Sequence, residues 1–159
     1  MHSQFNLRDV AEQAWASVQT RLGVRHVQFI CDLPESLAMD GYRDVLRQVL
    51  EQLLENACLH AFGGSAGQVR IGTAPAPARH LMLEVRDNGS GMSRPDLERA
   101  FEPFFTTRFG QGGSGLGLFV VHSLVENLLG GAIRLESQPG KGTVARLELP
   151  VIDTVRMAA

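Results

Sequence analysis

The sequence predicts a two-layer α/β sandwich, in which one mixed β-sheet of about five strands is covered on one face by three helices. Three observations carry that prediction. Long apolar stripes at helical spacing are interspersed with short segments of period-two alternation. Two of those short segments lie close enough to form a hairpin, and no regular strand–helix–strand repeat runs through the chain.

Residues 7–22 place Leu7, Val10, Ala11, Ala14, Trp15, Val18 and Leu22 at three-and-four spacing, an amphipathic helix with one packed face. Val27, Phe29, Cys31 and Leu33 then alternate with their neighbours as a half-buried strand, which Pro34 ends. A second helix is expected over 40–60, with the pairs Val45/Leu46, Val49/Leu50, Leu53/Leu54 and Ala57/Cys58 each one turn apart. Its charged residues Glu51 and Glu55 fall off that stripe and are expected to face solvent. Val69, Ile71 and Thr73 on one side of Pro75-Ala76-Pro77, and Leu81, Leu83 and Val85 on the other, predict a hairpin. Residues 89–113 are Gly-rich and irregular around a short helix near 95–100, and a loop of that length in a compact domain suggests a lid, over about 92–113. A third helix over 115–129 stops at Gly130-Gly131, and strands follow at 132–137 and 143–149. One domain is expected over 1–150, with a frayed tail over 151–159.

Composition narrows the function classes. The chain has 159 residues, 44% hydrophobic and 20% charged, with a formal charge of −2, which fits one ordinary globular core. No Lys/Arg run offers the electrostatic footprint of a nucleic-acid binder. No apolar stretch approaches the roughly 20 residues that span a bilayer, and no signal-peptide pattern opens the chain, so a cytoplasmic domain without membrane contact is expected. Cys31 and Cys58 fall on apolar faces, as buried thiols of no chemical role in a reducing compartment.

Three places carry polar chemistry. Asp87 closes the strand whose inward face is Leu81, Leu83 and Val85, so period two turns its carboxylate toward the core, where it needs a donor. The following Asn88-Gly89-Ser90-Gly91-Met92 leaves room for a flat ligand, and a purine amino group would satisfy the carboxylate. Read alone, Asp87-Asn88-Gly89 is equally an ordinary turn. Gly112-Gly113-Ser114-Gly115-Leu116-Gly117-Leu118 runs into the third helix with Ser114 as a candidate N-cap, exposing amides suited to phosphate. It lacks the third glycine of a dinucleotide fingerprint, and Gly140-Lys141-Gly142-Thr143 lacks Walker A spacing. On the second helix Gln52, Asn56 and Leu59 share one edge of the stripe with His60 beside them; a core-edge amide and a surface histidine are the plain alternatives.

Together and in this order these segments resemble the GHKL ATPase superfamily, and within it the catalytic domain of bacterial sensor histidine kinases with its Bergerat-type fold. Gln52-Leu53-Leu54-Glu55-Asn56-Ala57 is similar to the N box, Asp87-Asn88-Gly89-Ser90-Gly91-Met92 to the G1 box, Phe101-Glu102-Pro103-Phe104-Phe105-Thr106-Thr107-Arg108 to the F box, and Gly113-Ser114-Gly115-Leu116-Gly117-Leu118 to the G2 box. Pro139-Gly140-Lys141-Gly142-Thr143 resembles the family's ending. The resemblance implies that Asn56 coordinates Mg²⁺ on the ATP phosphates and that Asp87 accepts from the adenine amino group. Gly89, Gly91 and Met92 would border the adenine, and Thr143 would reach it directly or through water. Gly113, Ser114, Gly115, Leu116, Gly117 and Leu118 would hold the triphosphate. Phe104 and Phe105 would anchor the lid, and Arg108 would approach the γ-phosphate.

The sequence departs from the family at two positions. Gln52 stands where Asn is usual, and Leu59 where a phosphate-contacting Lys or Arg is usual, so His60 or Arg108 would have to compensate. Gyrase-like and chaperone members carry a glutamate general base one turn before the metal Asn; Gln52 cannot serve so, and slow hydrolysis is expected. None of the five histidines is followed by the acidic residue of the family's H box. The resemblance therefore implies a catalytic segment, monomeric by itself, that phosphorylates a histidine on a separate dimerisation hairpin of a parent protein, with a response regulator downstream. A degenerate regulatory module and an anti-sigma-type serine kinase are the alternatives.

Overall fold

The computed structural model describes residues 3–23, 26–61, 66–103 and 117–150, with the side chains of His60 and Ala61 excepted. Strand β1 (Ser3–Asn6) leads directly into helix α1 (Leu7–Leu22). Asn6 caps the helix, its Oδ1 accepting from Asp9 N–H at 3.1 Å, and Gly23 ends it in the left-handed region at φ 64°. Strands β2 (Val27–Asp32) and β3 (Ala38–Gly41) follow, and then helix α2 (Arg43–Asn56), whose last turn widens into a π turn over Ala57–Ala61. Strands β4 (Gly67–Ala74) and β5 (His80–Asp87), the short helix α3 (Arg94–Arg99), helix α4 (Gly117–Ser123) with a second π turn at Leu124–Leu128, and strands β6 (Ala132–Ser137) and β7 (Thr143–Pro150) complete the order.

The main sheet runs β2-β4-β5-β7-β6. Only the β2–β4 pair is parallel, so the sheet is mixed, as expected. One face carries Val27, Val69, Ile71, Leu81, Leu83, Val85, Ile133, Ala145, Leu147 and Leu149, all buried against the apolar stripes of α1, α2 and α4. The α1 stripe is the expected one, with Leu22 half-buried at its end. Trp15 covers the edge strand, its ring stacked on Phe29 with centroids 5.0 Å apart. The opposite face carries charge, including Arg146 bonded to Glu84 at 2.5 Å and Arg70 near Asp32, a pattern that keeps that face wet. The fold is therefore the α/β sandwich that the alternating patterns predict.

Four expectations need correction. The start expected for the second helix, residue 40, belongs to β3, which pairs antiparallel with β1 in a separate two-stranded sheet, Ser3 opposite Gly41 and Asn6 opposite Ala38. Glu51 and Glu55 do not face open solvent. Their side chains are only 17% and 21% exposed, because Glu51 lies 3.6 Å from Arg47 and Glu55 bonds Arg21 of α1 at 2.8 Å. Cys31 is half-buried where burial was expected, although Cys58 is buried. Burial holds both thiols in the protonated form, the Cys58 thiol being pushed up to about 11. Finally, the regular helical register expected through His60 gives way to the π turn directly after Asn56. The expected tail, residues 104–113 of the expected lid and residues 114–116 after it lie outside the described residues; α3, with Ser93 as its cap, falls in the part of the lid that is described.

Candidate functional site

Strands β5 and β7 end side by side, with Asp87 opposite Thr143. Asp87 continues the core-facing series Leu81, Leu83, Val85, and its Oδ1 accepts two backbone N–H groups, from Gly89 at 2.9 Å and from Thr143 at 3.2 Å. Among the described residues Oδ2 has no partner. Burial raises the Asp87 carboxyl above its ordinary value, while the two N–H donors pull in the other direction without cancelling it. A half-desolvated carboxylate with one oxygen saturated and the other open is an acceptor waiting for a donor.

The loop after Asp87 and the connection from β6 to β7 interlock. Gln138-Pro139-Gly140-Lys141 is a tight turn, closed by Lys141 N–H to the Gln138 carbonyl at 3.0 Å, with Gly140 at φ 79°. Gly140 N–H bonds the Ser90 carbonyl at 2.6 Å, and Met92 N–H bonds Ser137 Oγ at 2.7 Å. A Cβ on Gly91 would sit 2.0 Å from the Gln138 carbonyl oxygen, so this glycine permits backbone to pass against backbone. Asn88 ties the loop back to β4, its side-chain oxygen accepting from Gln68 N–H at 2.8 Å. Asp87, Gly89, Gly91, Met92 and Thr143, separated widely in sequence, thus meet at one end of the sheet.

The helices bring a second group together. Asn56 is the last α-helical residue of α2 and is half-buried, and among the described residues its carboxamide has no hydrogen-bond partner. Gln52, one turn earlier, reaches the first residue of α4: its Oε1 would lie 3.1 Å from a Cβ placed on Gly117. The Gln52–Asn56 edge of α2 therefore abuts the start of α4, and Leu118 packs half-buried on the core. Leu59 is half-buried in the π turn. Phe101, first residue of the F-box segment, packs against the core with its ring 5.0 Å from that of His122 in α4. Phe104, Phe105, Arg108, Gly113, Ser114, Gly115 and Leu116 lie outside the described residues, as does the side chain of His60.

Sequence reasoning missed Ser137 and Asn88. Both act on backbone groups of a neighbouring loop, which no side-chain periodicity announces; the only available signal was their place beside the Asp87 and Gly140–Thr143 motifs. The described residues contain no cluster of three or more His, Cys, Asp or Glu able to hold a metal ion. The carboxamide oxygen of Asn56, without a partner among the described residues, is a hard ligand of the kind that Mg²⁺ takes. Among the described residues no helix is long and apolar enough to cross a membrane.

A mixed sheet with helices on one face carries a core-facing aspartate at its rim and an amide beside the start of α4. The family model for histidine kinase-, DNA gyrase B- and HSP90-like ATPases matches residues 41–153, and the chain belongs to that family. Its relatives include the sensor histidine kinase ZraS of Salmonella typhimurium, 35% identical over 148 residues that cover 92% of this chain and 31% of ZraS. A putative sensor protein of Shewanella frigidimarina is 41% identical over 118 residues, 74% of this chain and 17% of that protein. The chain thus spans a third or less of these relatives. The nucleotide-free catalytic domain of histidine kinase ThkA superposes with a TM-score of 0.79 at 27% identity, covering 95% of this chain and 96% of that one.

Proposed function

We propose that this chain binds Mg·ATP between the sheet and helices α2 and α4 and presents the γ-phosphoryl group to a histidine on a separate dimerisation hairpin, in two-component signalling. One observation carries the reading: the Asp87 carboxylate, turned toward the core, spends Oδ1 on Gly89 and Thr143, and Oδ2 has no partner among the described residues. An exocyclic amino group of adenine supplies the missing donor, and the carbonyl of guanine would meet it with another acceptor.

The other roles follow from this placement. Gly89, Gly91 and Met92 border the base, and Thr143 lies beside Asp87 to meet it. Asn56 offers its carboxamide oxygen to Mg²⁺, which would neutralise phosphate charge. Gly117 and Leu118 stand where α4 begins, and with Gly113, Ser114, Gly115 and Leu116 they receive the triphosphate; Arg108 or His60 makes up for the phosphate contact that Leu59 lacks. No carboxylate occupies position 52, so nothing there deprotonates water, and ATP is held by positioning for an external nucleophile. The phosphoacceptor hairpin and a response regulator are the partners this chemistry requires, within a cytoplasmic part of a parent kinase.

Calorimetric titration with Mg²⁺ and a non-hydrolysable ATP analogue tests the reading. Saturable binding with one site is expected, and no binding at millimolar analogue would overturn it. Transfer of label from γ-labelled ATP to a histidine-bearing hairpin supplied in trans, acid-labile and absent without the chain, is the expected second result.

A further inference from the structure

Ser137 is used by none of the assignments above, yet its hydroxyl has three partners. It lies 2.7 Å from Met92 N, 2.9 Å from the Gly142 carbonyl oxygen and 2.8 Å from Thr143 Oγ1. A serine hydroxyl has one hydrogen and two lone pairs, so three partners fill it completely. Met92 N–H can only donate and the Gly142 carbonyl can only accept. The Ser137 hydrogen therefore belongs to Gly142, whose residue is buried and whose carbonyl would otherwise face an oxygen lone pair at 2.9 Å. The third partner must then be a donor, which fixes the hydrogen of Thr143 on Ser137.

We propose that Ser137 is a positioning residue that sets purine specificity: by taking the hydrogen of Thr143, it leaves Thr143 Oγ1 able to offer only lone pairs to a ligand or to a water bridging to one. The inference rests on the nucleotide reading above and adds to it. With Asp87 Oδ2 also an acceptor, the base-facing rim of β5 and β7 presents acceptors alone, so a purine bound with its 6-position toward Asp87 is taken with an amino group there and opposed with a carbonyl. The same hydroxyl pins Met92 N–H and so fixes the loop 88–92 against the β6–β7 turn. Without it Thr143 would regain a free hydrogen and donate as readily as accept, and guanine's carbonyl would become tolerable at that position.

The test compares the affinities of the 159-residue chain for ATP and GTP analogues, each with Mg²⁺, by calorimetry well below the melting temperature. Wild type should prefer ATP, and Ser137→Ala should reduce the ATP-to-GTP preference by about 3- to 10-fold, the worth of one hydrogen bond. Ser137→Thr, which keeps the hydroxyl, should restore the wild-type ratio, whereas a defect in stability alone would weaken both nucleotides together. Should Ser137→Ala not fold, Thr143→Val removes the oriented oxygen itself and should lower the same ratio. An unchanged ratio in Ser137→Ala or in Thr143→Val, against a wild type that binds ATP, overturns the inference. A wild type that binds neither nucleotide overturns the functional reading first.

Discussion

Gly142 passes so close to Asp87 that a Cβ built on it would lie 2.1 Å from the Asp87 carbonyl oxygen and 3.1 Å from the α-carbon of Asn88. Its φ of 77° is also in the region that only glycine occupies freely. Both constraints act on the stretch that brings Thr143 N–H to the Asp87 carboxylate. Gly142→Ala should therefore separate β7 from the end of β5, costing about 2–4 kcal/mol of stability from backbone strain and overlap combined. Nucleotide binding should be lost by a larger factor than in Gly140→Ala, where a Cβ meets nothing within 4 Å although the φ of 79° is similar. Chemical denaturation and calorimetry of the two variants measure this, and equal effects would show that the close approach is immaterial.

The role proposed for Asp87 sets function against stability. A carboxyl whose value in the folded state is raised by burial contributes stability below its unfolded value and loses it as pH rises through the folded value. At neutral pH its ionisation is thus a cost to the empty protein. Asp87→Asn keeps a side-chain oxygen for Gly89 and Thr143 and removes that cost, so the melting temperature at neutral pH should rise by roughly 1–3 °C. The same substitution points an amide N–H₂ toward the base in place of a carboxylate oxygen, so ATP affinity should fall at least about tenfold. A variant that melts lower than wild type, or that binds ATP unchanged, contradicts the assignment.

The same direction of shift fixes a pH dependence. Protonation of Asp87 removes the acceptor, and it begins at a higher pH than for an ordinary aspartate. ATP affinity of the wild type should fall as the solution is acidified from neutrality through the upper carboxylate range. Titration of the phosphates affects wild type and Asp87→Asn alike, so the ratio of their affinities isolates the carboxyl. That ratio should move toward one on acidification, and a constant ratio would mean that Asp87 does not meet the base.

These sites differ in how legible they are in the sequence. Helix α1 was legible because its buried residues follow one period without interruption, and Asp87 was legible because it breaks an apolar alternation at the inward position. Strands β1 and β3 were not: each has four residues, and what makes them strands is the pairing of Ser3 with Gly41, 38 positions along the chain. Glu55 was misjudged for a related reason. A helical wheel places it off the stripe of α2, but α1 lies alongside and brings Arg21 within 2.8 Å. Ser137 was invisible because its three partners are two backbone groups and a hydroxyl, brought together by a turn whose glycines were visible but whose direction was not.

Asn56 gives a prediction that separates metal from base. Its half-buried carboxamide lacks a partner among the described residues, and removing it should leave the fold intact, because no described hydrogen bond is lost. Asn56→Ala should weaken binding of the ATP analogue by about 10-fold or more with Mg²⁺ present, and much less in excess chelator. Adenosine, which has no phosphates, should bind both proteins alike. Equal weakening of adenosine and Mg·ATP would place Asn56 at the base end or in the fold, and not at the metal.

Gln52 tests why ATP should survive in this site. The side chain stands one helical turn before Asn56 and reaches toward Gly117, so it lies beside the start of the helix proposed to receive phosphate. An amide there can hold a water molecule by hydrogen bonds but cannot take its proton. Gln52→Glu is nearly isosteric and converts the side chain into a base one helical turn before Asn56. Hydrolysis of ATP in the absence of any phosphoacceptor should rise at least severalfold in kcat, with KM little changed, because binding contacts are kept and only proton abstraction is added. Release of inorganic phosphate measures this directly. Should Gln52→Glu hydrolyse no faster than wild type while binding ATP normally, then position 52 does not face the attacking water, and the slow turnover expected of the wild type must come from exclusion of water and not from the lack of a base.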